Sequence, residues 1–121
     1  MFTVSVKTSF KASHQLDLPD GSKENDHTHD WFVKVDVRGN DLDDYNLLID
    51  FVELKKKLNA ITAQFEGKKL EKLDFFAQNN ASAECVARYI YEKIETMMPK
   101  GVKLKAVEVT EEPGCSVKYN K

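Results

Sequence analysis

Three histidines are the residues best equipped for chemistry in this chain, and the sequence holds no others. His27 and His29 stand one residue apart in "HTHDWFVKVDV", and His14 ends "SFKASH". Side chains alternate across a strand, so residues i and i+2 share a face and an H-x-H pair can bring two imidazoles to one point. Three neutral imidazoles converging from two strand ends make a natural tetrahedral Zn²⁺ site. Its fourth position stays open to water or substrate, the catalytic pattern and not the closed structural one. Such a metal acts as a Lewis acid, polarising a carbonyl or lowering the pKa of a bound hydroxyl. Three imidazoles favour zinc, and nickel or iron is compatible with them. The competing reading is that half-buried strand histidines are satisfied by hydrogen bonds alone, and the pattern by itself leaves both standing. Cys85 and Cys115 are too few and too scattered for a disulfide framework or a cysteine-rich zinc site.

Periodicity identifies the elements that must position these residues. Phe2, Val4, Val6, Phe10 and Ala12 alternate with Thr8 in phase, and this even-numbered series ends on His14. The stretch "LPDGSKEND" (18–26) is polar, carries Pro and Gly, and reads as a connecting loop. A second strand runs from about His27 to Arg38. It places both histidines, Trp31, Val33, Val35 and Val37 on one face, and Lys34, Asp36 and Arg38 on the other. Paired antiparallel, the two strands bring His14 beside His27 and His29 at one edge of the sheet.

Farther along, Phe51, Leu54, Leu58, Ile61 and Phe65 recur at three- and four-residue spacing, an amphipathic helix. "EGKKLEKLDFFAQNN" has no period, and Asn79-Asn80 reads as a turn. A second helix is expected from about Ser82, with Val86, Ile90, Ile94 and Met97 inward and Pro99-Lys100-Gly101 as its stop. The last segment reads as two strands joined at Pro113-Gly114. The order β-β-α-α-β-β predicts an α+β fold, a four-stranded antiparallel sheet with two helices on one face.

A chain of 121 residues is expected to form a single domain spanning 1–121. The net charge of −2 comes with no basic stripe. The densest basic cluster, Lys55-Lys56-Lys57, falls in a helical pattern as a solvated face, so no nucleic-acid partner is expected. No apolar run approaches the ~20 residues that cross a membrane, and the first residues lack the basic start and apolar core of a signal peptide. A cytoplasmic, reduced protein without a membrane partner is the expectation.

Several segments, in order and rough spacing, are similar to one family. They are "SFKASHQL", "HTH" with an aromatic two residues on, "IDFVELKKKL", "LDF", "SAE" and "VTEEPGCSVKY". The chain resembles the 6-pyruvoyl-tetrahydropterin synthase / 6-carboxy-tetrahydropterin synthase family over nearly its whole length. The resemblance implies the tunnelling fold, with subunits assembled as a homo-oligomer (a trimer or a dimer of trimers, the homohexamer) and active sites between subunits. It matches His14, His27 and His29 to zinc ligands and Glu111 to the acid that grips the pterin ring, a carboxylate able to accept two adjacent ring N–H bonds. Ser82 falls where the family has a Thr beside the pterin, although as a helix N-cap it needs no function. Asp74 matches the acid of an Asp-His pair.

The departures bear on activity. The family's catalytic Cys, four residues before the first His of the pair, is Lys23 here. Lys23 reads as a loop lysine. Phe75 stands in place of the histidine that works with that Cys, and Thr28 in place of a Gly. Glu24 lies three residues before His27, giving E-x-x-H-x-H. A subgroup of the family lacks the Cys, has a Glu at this spot, and resembles enzymes that cleave the dihydroneopterin side chain to 6-hydroxymethyl-dihydropterin. Glu24 is therefore either a general base near a metal-bound hydroxyl or a polar loop residue.

The resemblance implies a zinc-dependent lyase-type enzyme acting on the side chain of a small-molecule reduced pterin, 7,8-dihydroneopterin or its triphosphate. Zinc would bind the side-chain hydroxyls, Glu111 and Ser82 would hold the ring, and Glu24 and Asp74 would move protons. The alternative is a pterin- or purine-binding, metal-binding homologue without synthase activity.

Overall fold

The alternating apolar residues build the first two strands. The computed structural model describes residues 1–121, and in it β1 (Phe2–His14) pairs antiparallel with β2 (His27–Gly39) over their full length. Val6, Phe10, Ala12 and His14 are buried from β1, and Trp31, Val33, Val35 and Val37 from β2. Phe2 falls at the sheet margin and stays about half exposed. Gly39, the last residue of β2, has no room for a side chain. A Cβ there would come within 2.5 Å of a Leu48 methyl and 2.7 Å of the Gly101 carbonyl oxygen.

Helix α1 (Phe51–Thr62) is capped by Asp50, whose Oδ1 accepts from the Val52 N–H at 2.8 Å. Leu54, Leu58 and Ile61 are buried on its inner face, each burial contributing about 1.5–3 kcal/mol. Phe51 opens the helix but is 60% exposed, and Phe65 is buried beyond the helix end. Helix α3 (Ala83–Glu95) buries Val86, Ala87, Ile90, Tyr91 and Ile94, while Met97, past its last turn, faces outward. Phe51 and Met97 keep the helical period but lie at the ends, where no element packs over them.

The segment between these helices departs from the sequence reading. It forms a two-residue strand, β3 (Lys68–Lys69), a 3₁₀ turn (Leu70–Lys72) and a short helix α2 (Asp74–Ala77). β3 pairs parallel with β1 at Ala12 and Ser13. The sheet is therefore five-stranded and mixed, with order β3-β1-β2-β4-β5, where a four-stranded antiparallel sheet was expected. β4 (Lys103–Glu112) and β5 (Cys115–Tyr119) form the closing hairpin, turning at Gly114 with φ +87°. α1 packs on β1, and α3 packs on β4 and β5. The class is α+β, with the helices gathered against one face of the sheet. No helix is long and apolar enough to cross a membrane.

Candidate metal centre

The register of β1 against β2 sets the site. His14 lies opposite His27, and Ala12 opposite His29, so all three imidazoles reach the same end of the core face. Trp31 forms their floor. Its ring is fully buried, 4.9 Å from His14 and 5.9 Å from His29 between centroids, and its indole N–H donates to the Ala12 carbonyl at 3.1 Å.

His14 is fully buried, with Nδ1 2.7 Å from the Ala81 carbonyl oxygen. A carbonyl only accepts, so Nδ1 carries the proton and a neutral His14 presents a lone pair at Nε2. The same reasoning holds for His27, whose Nδ1 lies 2.8 Å from the Asn25 carbonyl oxygen. The two Nε2 atoms are 2.9 Å apart, and Glu111 Oε1 is 2.7 Å from His14 Nε2. Three polar atoms gathered this closely can share one positive centre, a metal ion or a ring proton.

His29 completes the group, its ring centroid 4.5 Å from that of His27. The ligand atoms of His14, His27, His29 and Glu111 all lie within 4.8 Å of one another. A tetrahedral ion with donors at about 2.0–2.1 Å needs them about 3.3 Å apart, so this donor set fits a divalent metal. The backbone carbonyls that hold His14 and His27 are the outer partners such a site requires.

The other residues singled out in the sequence divide into two groups. Glu24 joins the cluster's margin, with Oε1 3.8 Å from His27 Nε2. The Leu16 N–H donates to that same oxygen at 3.0 Å, and the Glu24 N–H returns to the Leu16 carbonyl at 3.0 Å, so the carboxylate is held in a clasp. Glu24 is thus both beside the histidines and part of the loop's own bonding. Lys23 forms an isolated bridge with Asp17 and reaches its carboxylate at 3.9 Å, with both side chains largely exposed. Ser82 caps α3 by accepting from the Cys85 N–H at 3.2 Å, one residue beyond the carbonyl that holds His14.

Asp74 is not brought to the cluster within this chain. It opens α2, is exposed, and lines a cleft of about 580 Å³ with Phe65, Phe76, Tyr89 and Lys93. Phe75 lies half-buried in that cleft, 4.8 Å from Tyr89 and 5.1 Å from Phe76 between ring centroids.

Two supports escape a reading by period. Glu71, in the 3₁₀ turn, accepts from the Gln15 N–H directly after His14, while its other oxygen is buried without a partner. The contact between Glu111 and His14 was also missed, although a signal was present. The core-facing series Val107, Val109, Glu111 ends on an acid at the same sheet edge where the β1 series ends on His14.

Fold and site together define a tunnelling-fold protein with a four-donor cluster at one end of its sheet. The family model of 6-pyruvoyl tetrahydropterin synthase matches residues 3–121, and the chain belongs to that lyase-type family of pterin enzymes. Human 6-pyruvoyl tetrahydrobiopterin synthase is 31% identical over 130 residues, covering 96% of this chain and 89% of its own. The dihydroneopterin monophosphate aldolase of Pyrococcus furiosus is 29% identical over 108 residues, 89% of this chain and 88% of its own. The structure of Caenorhabditis elegans 6-pyruvoyl tetrahydropterin synthase superposes with a TM-score of 0.88 at 26% identity, covering 99% of this chain and 95% of that one.

Proposed function

We propose that the protein is a zinc-dependent lyase acting on the side chain of a reduced pterin, cleaving it in the manner of an aldolase. The observation that carries this reading is the convergence of His14 Nε2, His27 Nε2 and Glu111 Oε1, with both Nδ1 positions committed to carbonyls. Zinc held by His14, His27 and His29 would supply Lewis acidity to a side-chain hydroxyl.

The chain's own residues then divide the work. Glu24 stands as general base: the Leu16 N–H fixes Oε1 and leaves Oε2 to take the hydroxyl proton. Glu111 accepts two ring N–H bonds and orients the pterin. Ser82 uses its oxygen to cap α3 and retains its O–H to donate to the ring. Lys23 at the position of the family's Cys supports cleavage over the synthase reaction, as does the relatedness to an aldolase of dihydroneopterin monophosphate. Asp74 takes part only when a second copy delivers it, in the trimer or dimer of trimers that the resemblance implies.

The test is to incubate the zinc-loaded protein with 7,8-dihydroneopterin, its monophosphate and its triphosphate, and to follow products by mass spectrometry. 6-Hydroxymethyl-dihydropterin is expected; a pyruvoyl or carboxy product would contradict the role given to Glu24. A second reading, a pterin- or purine-binding homologue without synthase activity, is favoured by the place of Asp74 and Phe75 in a separate cleft. It predicts retained pterin, no product, and indifference to Glu24→Gln.

A further inference from the structure

The helices cover one face of the sheet, and the opposite face carries groups that the metal centre leaves unused. There the register sets Lys7 of β1 directly against Lys34 of β2. Side chains so opposed have Cβ atoms about 5 Å apart, and like charges in that position destabilise the pair. Neither lysine is neutralised at close range. Lys7 is exposed and makes no ion pair. The Asp36 oxygen that lies 3.9 Å from Lys34 Nζ already accepts the Ser5 hydroxyl.

Phe32 adds a second anomaly beside them. It follows Trp31 but points to the open face, between Ser9 and Thr110, where it is 52% exposed. Lys7, Phe32, Lys34 and Glu108 line one hollow of about 350 Å³, a size that takes a small ligand. We infer that this hollow binds a flat-ringed phosphate ester, the class of a nucleoside monophosphate. The ring stacks on Phe32, and the phosphate sits between Lys7 and Lys34.

Three features select this class. A phosphate offers acceptors to both ammonium groups at once and offsets their repulsion. Phe32 and Lys34 share a face two residues apart, about 6.6 Å along the strand, which leaves room for a sugar between ring and phosphate. Glu108, its side chain about a third exposed, repels a bare polyanion but accepts the O–H and N–H groups that a sugar and a base carry. His27 and His29 alternate with Phe32 and Lys34 along β2 and so point to the other face. The hollow and the metal centre are therefore separate, and this inference does not rest on the function proposed above.

The test titrates the zinc-loaded full chain calorimetrically with adenosine 5′-monophosphate, inorganic phosphate and adenosine. The monophosphate should bind at least about tenfold more tightly than either of its parts. Lys7→Gln and Lys34→Gln should each weaken it about tenfold, the loss expected of one charge-assisted bond. Phe32→Thr should weaken it at least about fivefold and leave phosphate binding unchanged. Lys11→Gln removes the same charge from the same face, where it pairs with Asp30 outside the hollow, and should leave binding within about twofold. Circular dichroism should show all four variants folded, since none of these side chains belongs to the core.

Equal weakening by Lys11→Gln would reduce the effect to the general field of the face and overturn the site. Monophosphate binding that survives Lys7→Gln and Lys34→Gln, or that disappears in His29→Ala, would put the ligand elsewhere and overturn it too. Phosphate binding as tightly as the monophosphate would overturn the role of Phe32. Failure of the wild type to bind the monophosphate would overturn the inference as a whole.

Discussion

The histidine end of the β1–β2 pair and the cleft beside α2 are both places where family chemistry was expected, and they are built on different principles. At the histidine end, strand register places polar atoms against one another on an aromatic floor, an arrangement that a shared cation would stabilise. Beside α2, Phe75, Phe76 and Tyr89 pack edge-on and tilted against one another, and the acids lining that cleft, Asp74 and Glu92, face solvent. One region keeps donors converged, which core packing alone would not do. The other is held together by apolar contact between aromatic rings. The difference teaches that the two places are separate within one chain: His14, His27, His29 and Glu111 meet at the end of the sheet, and Asp74 does not join them.

Removing His14 should have the largest effect. His14→Ala deletes a buried ring and orphans the Ala81 carbonyl, costing about 3 kcal/mol. Thermal unfolding should show Tm lowered by roughly 10 °C, with zinc binding lost as well. Glu24→Gln should lower turnover about 100-fold with zinc affinity unchanged, as read by steady-state kinetics and metal competition; equal loss of both would make Glu24 a structural clasp only. Phe75→Ala should cost about 2 kcal/mol in denaturant unfolding, less than full burial would give, and leave zinc affinity untouched. A coupled loss of metal would erase the separation between the two regions. Lys23→Ala should have the smallest effect, within about 0.5 kcal/mol in stability, because its ion pair with Asp17 is exposed, and within about twofold in turnover, since only a larger change would exceed the few tenths of a kcal/mol expected of such a pair.

Legibility in the sequence follows the same division. The two long strands, the inner faces of α1 and α3, and the meeting of three histidines were readable because each depends on a period of two or of 3.6 that the chain repeats. β3, the 3₁₀ turn and α2 were not, since Gly67 to Gln78 repeats no pattern and its order comes from contacts distant in sequence. The Gly67 N–H to the Lys11 carbonyl and the Gln15 N–H to Glu71 are two such contacts. Phe51 and Met97 show the period outrunning the element it describes. The approach of Glu111 to His14 continues the alternation of Val107 and Val109, whereas the bulge between Thr110 and Glu112 is a one-residue slip of register that no composition rule announces.

The central claim is that strand register alone builds a divalent-metal site from His14, His27 and His29. Calorimetric titration of the metal-stripped protein with Zn²⁺ tests it most directly, run beside His29→Ala, a variant of a part-exposed ring that should remain folded with a stability change below about 1 kcal/mol. One equivalent bound per chain in the wild type, with affinity collapsing in His29→Ala while the fold persists, is the result predicted. No stoichiometric zinc binding, or binding that survives His29→Ala unchanged, would contradict the account.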